Sequence, residues 1–123
     1  MIRILLFSLA GLMAATPAYA CKCRVIPFEE ALAGTDLAVV GTARSVVAGQ
    51  KDGVPQVSAK VRIHKRLKGP RLGRWVTVWT QGSTAACGYY FQEGQRVVFG
   101  LTRAPDGRWT TSSCTMNSLN QDR

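Results

Sequence analysis

The sequence predicts one small, mainly β domain, an antiparallel barrel or sandwich of about five strands with one or two short helices and two disulfides. Three observations carry this. Stretches of alternating or β-branched apolar residues recur between Gly- and Pro-containing breaks. Of 123 residues, 103 remain once a leading export segment is set aside, enough for a single core and not for two. Four cysteines in a short exported chain are the mark of a disulfide framework.

The export segment is residues 1–20. Arg3 supplies a positive start, Ile4 to Ala15 an apolar run, and Ala18-Tyr19-Ala20 a small-x-small cleavage site. The run is shorter than the roughly 20 residues a helix needs to span a bilayer, so it reads as a cleaved signal peptide that leaves no transmembrane segment. Cleavage makes 21–123 a secreted or periplasmic domain whose first residue, Cys21, carries a free α-amine. The rival reading is a lipid anchor on Cys21. Tyr19, two residues before it, and Ala18 in place of Leu match a lipobox poorly, so the anchor is the less favoured reading.

Charge narrows the partners. The chain carries 16 Lys and Arg against 7 Asp and Glu, a formal +9 that becomes +8 when Arg3 leaves with the signal. Such a balance favours anionic partners. Outside the cytoplasm these are envelope or matrix polymers and acidic proteins more than nucleic acid.

The cysteines are Cys21, Cys23, Cys87 and Cys114, and two bridges among them allow three connectivities. A zinc site drawn from these or from His64 would lack any C-x2-C pair, so no metal or other cofactor of its own is expected. A bridge between the adjacent-but-one Cys21 and Cys23 would be strained, so each should bridge a distant partner rather than the other. Either long-range pairing closes loops whose chain-entropy contribution is about 4 kcal/mol each. The leading segment is then pinned against the body.

The remaining elements follow in order. Pro27-Phe28-Glu29-Glu30-Ala31-Leu32 suggests a short helix, with Pro in the first turn, two carboxylates near its positive end and Gly34 as the stop. Glu29 and Glu30 are neighbours and do not face each other, so helix-end charge explains them better than an acid–base pair. Leu37 to Val47 is the first strand, with 48–53 as its exit loop. In the second strand Val57, Ala59, Val61, Ile63 and Leu67 share one face, and Ser58, Lys60, Arg62, His64 and Arg66 the other, wet one. Gly69-Pro70 and Gly73 break the pattern, and Trp75 to Thr80 resumes it. A loop holding Cys87-Gly88-Tyr89-Tyr90 precedes a fourth strand from Gln95 to Leu101. Pro105-Asp106-Gly107 turns the chain into a fifth strand, Trp109 to Thr115.

Across nearly all of 21–123 these features resemble the tissue inhibitors of metalloproteinases and the wider netrin-like domains. The residues that carry the resemblance are Cys21-Lys22-Cys23 at the expected mature start, Ala31 to Val40 leading into the first strand, His64-Lys65-Arg66-Leu67-Lys68-Gly69, Ala86-Cys87-Gly88-Tyr89, and Thr111-Ser112-Ser113-Cys114. What the resemblance implies is a five-stranded OB-type barrel with bridges Cys21–Cys87 and Cys23–Cys114. It also implies an activity, inhibition of a zinc metalloprotease, with Cys21, Lys22, Cys23, Ala85 and Ala86 as the contact residues. The α-amine nitrogen and carbonyl oxygen of Cys21 would close a five-membered chelate on the enzyme's zinc, at the position that otherwise holds the attacking water. The chain departs from the family at Lys22, where a small or hydroxyl residue is usual. It also lacks one of the family's three N-domain disulfides and the C-terminal domain, and has only Ala85 and Ala86 before Cys87.

Other candidates are weaker. Lys65, Arg66, Lys68, Arg71 and Arg74 surround the Gly-Pro turn, and with Trp75 and Trp79 they read either as an anion-binding loop or as a solvated hairpin over half-buried tryptophans. His64 is the lone histidine and has no orienting carboxylate in sequence, so a surface role is expected. Ser112 and Ser113 have no base to activate them, and no catalytic or nucleotide-binding fingerprint occurs. The expectation is therefore a binding protein and not an enzyme: an inhibitor-like module acting through Cys21. The alternative is a basic OB-type module for anionic polymers or an acidic partner protein.

Overall fold

A computed structural model describes residues 21–122; the signal segment expected over 1–20 lies outside them. The elements run α1 (Phe28–Ala33), β1 (Leu37–Lys51), β2 (Val54–Lys68), β3 (Trp75–Gln81), a 3-10 turn (Thr84–Ala86), β4 (Arg96–Arg103), β5 (Trp109–Thr110) and α2 (Ser113–Leu119). The five strands close into a barrel in the order β1-β2-β3-β5-β4, the OB-type ring. All neighbours are antiparallel except β3 and β5, which run parallel.

Alternation builds the interior as expected. Leu37, Val39 and Ala43 of β1, Ala59 and Val61 of β2, Val76 and Val78 of β3, and Val97, Phe99 and Leu101 of β4 form one buried cluster, with Phe91 and Met116 joining from outside the strands. Phe91 stacks on Phe99 at 6.5 Å between ring centroids, and Tyr89 meets Phe91 edge-on at 5.4 Å. Such pairs add to area burial.

A second, smaller cluster lies on the outer face. Ala31, Val98 and Leu119 are buried there against Ile26, Phe28, Leu32, Val40 and Leu67, so both helices cover one part of the β1-β2-β4 surface. Asn120 pins α2 to β4: its Oδ1 accepts from the Val98 amide at 2.9 Å, and its Nδ2 donates to the Val98 carbonyl at 2.8 Å.

Four expectations are corrected. The loop foreseen over 48–53 is mostly strand, because Ala48 to Lys51 pair with Val57 to Val54, and the turn shrinks to Asp52 and Gly53, both at positive φ. Leu67 leaves the inner face. Register slips between Val40 and Gly41 and between Ala38 and Val39 break the alternation, and Leu67 packs beneath the helices instead. The fourth strand runs on to Arg103. The fifth stops at Thr110: Ser112 caps a helix where continued strand was expected, its Oγ accepting from the Thr115 amide.

The hairpin and the last turn are tied together. Asp106 receives Lys51 Nζ and Arg108 Nε, each at 2.9 Å, and the Arg108 amide at 3.0 Å. The Arg108 amide first, then the Lys51 and Arg108 side chains, hold the Asp106 carboxyl well below its ordinary 3.8. A lowered folded-state value means that the unfolded chain binds more protons in acid. This contribution is thus complete above pH ~4 and is lost as pH falls through the folded value. Urea unfolding across this range should show Asp106→Asn less stable than the parent at neutral pH, with the gap closing in acid.

Candidate functional site

The site expected from the sequence is the leading segment and the loop before Cys87. The structure brings them together. Cys21 is bridged to Cys87 and Cys23 to Cys114, with Cα–Cα separations of 5.0 and 4.9 Å, and all four sulfur atoms lie within 4.8 Å of one another. The closed loops span 66 and 91 residues, worth about 4 kcal/mol each in the chain-entropy model. Among the described residues no cysteine is free.

Local sequence explains how Cys87 reaches its partner. Ser83 starts a single 3-10 turn, its Oγ accepting from the Ala85 amide at 3.1 Å. Cys87 then adopts a left-handed conformation (φ 66°), which reverses the chain. Gly88 follows because nothing larger fits. A Cβ there would run into the Gln81 carbonyl oxygen and sit 2.8 Å from that of Ser83. The Gly88 and Tyr89 amides donate to the Ser83 carbonyl and to Thr80 Oγ1, each at 2.9 Å, and the Ser113 amide donates to the Cys87 carbonyl at 2.9 Å. The loop is thus attached at once to the exit of β3 and to the start of α2.

Exposure divides these residues by role. Cys21 and Cys23 are partly buried, whereas Lys22, Ala85 and Ala86 are exposed. The result is a ridge of two short segments, one on each side of the Cys21–Cys87 bridge, with Lys22 standing clear. Beyond the loop lies a groove of about 580 Å³, lined in part by Val46, Val57, Tyr89 and Phe91, with Tyr90 77% exposed at its edge. Sequence reasoning passed over Tyr90; its only signal was its place in the Cys87 loop.

The basic run separates. Lys68 Nζ donates to the Leu32 and Ala33 carbonyls at 3.0 and 3.1 Å, where a cation complements the C-terminus of α1. Arg66 folds back on the Gly69 carbonyl at 2.6 Å. Lys65, Arg71 and Arg74 are exposed. Trp75 is 45% exposed and Trp79 partly buried, and Arg62 and Arg108 lie over their rings at 5.7 and 4.9 Å.

His64 is exposed, as expected, yet it is engaged: its Nε2 lies 2.9 Å from Thr42 Oγ1. Packing around the ring, followed by the charges of Arg96, Arg62 and Arg44, lowers its pKa below 6.5. These arginines were not singled out in the sequence, because Arg44, Arg62 and Arg96 meet only through strand pairing.

Replacing Cys21 and Cys87 together with Ser should cost about 2–5 kcal/mol in urea unfolding and free the leading segment to exchange and proteolysis, while the Cys23–Cys114 bridge keeps the barrel closed. No protein-family model matches the chain, and no curated protein matches it.

Proposed function

We propose that the chain is an exported metalloprotease-inhibitor-like domain that blocks a zinc protease through Cys21. The observation that carries this reading is the ridge. The Cys21–Cys87 bridge fixes the leading residue beside exposed Ala85 and Ala86, while Lys22 projects freely. A first residue held in this way has little freedom left to lose when it docks.

The chemistry requires cleavage before Cys21. The α-amine, with a reference pKa of about 7.7 to 8, gives up its proton near neutral pH at little cost against a metal bond. Nitrogen and carbonyl oxygen then occupy the open coordination position and displace the water the protease would activate. Lys22, the next residue, enters the pocket beside the zinc. An ammonium buried without a partner is costly, so the target is a protease with an acidic group in that pocket, or one shallow enough for the Lys22 stem to carry its charge back to water. The role is that of a binding protein, not an enzyme, placed outside the cell or in the periplasm, where the two disulfides persist.

Mass analysis of the exported protein should find a free amine on Cys21, and titration against a panel of zinc proteases should find inhibition. One residue added before Cys21 should abolish it. Lys22→Thr should tighten binding to proteases with apolar pockets by about tenfold or more, by removing the buried charge. An acylated Cys21, or inhibition that survives the added residue, refutes the mechanism.

A further inference from the structure

The helices cover only part of the outer barrel face; beside that cover the surface is cationic. Strand pairing sets Arg96, Thr42, Arg62 and Trp75 in one row across β4, β1, β2 and β3, and Arg44, Lys60 and Thr77 in the row beside it. Neighbouring strands lie about 4.8 Å apart, so the Arg96 and Arg62 backbones stand roughly 10 Å apart with Thr42 between them. Two guanidinium groups on stems that far apart can converge on one tetrahedral anion.

Several features mark this row as a place for an anion. Both ion pairs among the described residues belong to Asp106, so Arg44, Lys60, Arg62 and Arg96 form none among them. Glu93, three residues before Arg96, accepts from the Ser45 amide at 3.1 Å. Arg62 Nε is buried and has no hydrogen-bond partner, the single such side-chain atom among the described residues. Leaving a buried donor unpaired is unfavourable, and a shift of the Arg62 side chain that brought Nε to an incoming oxygen would remove that cost. The Trp75 ring lies 5.7 Å from the Arg62 guanidinium and restrains it. Thr42, 5% exposed, and His64 supply a hydroxyl and an imidazole at the centre, 2.9 Å apart.

We propose that this row binds a phosphate or sulfate group, gripped by the Arg62 and Arg96 guanidiniums over the Thr42–His64 pair, with Arg44 and Lys60 adding charge. Arginine suits this better than lysine, since its planar fork matches the paired oxygens of such groups. The site is separate from Cys21 and does not depend on the inhibitor reading. Nor does it use the 65–74 run, whose Arg66 and Lys68 have local partners.

Binding carries a proton with it. Without an anion, packing around the ring and then the charges of Arg96 on β4, Arg62 on β2 and Arg44 on β1 disfavour the imidazolium of His64. An anion offsets the arginines' field and raises the His64 pKa, so the complex takes up a proton and tightens as pH falls from the His64 pKa of the complex toward the lower one of the free protein, at most tenfold per pH unit.

His64 is the lone histidine, so its ring signals in an NMR spectrum need no assignment. They would be titrated over about pH 5 to 8 in chloride and in sulfate at matched ionic strength, sulfate being chosen because its charge is constant there. The expected result is a higher His64 pKa in sulfate. Arg62→Gln with Arg96→Gln should weaken sulfate binding by about tenfold or more, the effect of one lost charge-assisted hydrogen bond, while Arg71→Gln leaves it unchanged. A parallel titration with a sulfated oligosaccharide separates the sources. Saturation by free sulfate identifies a small oxyanion, and a response to the oligosaccharide alone identifies a group carried on a polymer. A His64 pKa equal in chloride, sulfate and oligosaccharide overturns the proposal, and this comparison needs no variant. Oligosaccharide binding that shifts the 65–74 signals and spares His64 overturns it too.

Discussion

Strands β3 and β5 meet along only two residue pairs, Val78 with Trp109 and Trp79 with Thr110, and on this short parallel seam the ring must close. Hydrogen bonds from the Thr111 amide to the Trp79 carbonyl and from Thr80 Oγ1 to the Thr111 carbonyl extend it slightly, both at 2.9 Å. At about 1 kcal/mol net per hydrogen bond, so short a ladder is marginal. Cys87 follows β3 and Cys114 follows β5, and Cys21-Lys22-Cys23 is bonded to both. The leading segment is therefore a strap across the seam. At about 4 kcal/mol each, the two cross-links outweigh any single hydrogen bond of the seam they span. Barrel closure and the fixing of Cys21 are one device.

Much of the ring was legible in the chain. Alternation in 57–63 and 75–80 marked the inner face because a half-buried strand has a period of two, and Gly and Pro marked the breaks. What failed was whatever depends on a partner. Ala48-Gly49-Gln50-Lys51 has a loop-like composition and becomes strand because β2 pairs with it. Leu67 changes face because two register slips intervene, and one strand's pattern cannot reveal a slip that belongs to a pair. The Ser112 cap was present in the sequence, but β-prone Thr110 and Thr111 just before it favoured a strand reading through Thr115. Of the candidate site, the cysteines were plain while their pairing rested on a resemblance, and Tyr90 carried no pattern at all.

The high positive charge has more than one explanation. Lys68 completes α1, Lys51 and Arg108 converge on Asp106, and Arg103 and Arg108 cover Trp109 and Trp79 at 4.9 Å each. These cations are structural. Arg44, Lys60, Arg62 and Arg96 are different, because three strands carry them to one side with no carboxylate paired to them among the described residues. A linear reading weighted the run at 65–74, where charges are dense in sequence, and passed over the outer face, where they are dense in space.

The two ends of the described residues lie side by side. Gln121 Nε2 donates to the Ile26 carbonyl at 2.7 Å, and Cys23 is bonded to Cys114. The Asp52–Gly53 turn is exposed at the tip of the long hairpin. A circular permutant opened at that turn, with a short linker joining 122 to 21, would keep every strand pair and both cross-links. Its residue 21 would then sit within an amide and have no amine to offer. Architecture and terminal chemistry, which share one strap in the native chain, thereby become separable properties of a single composition.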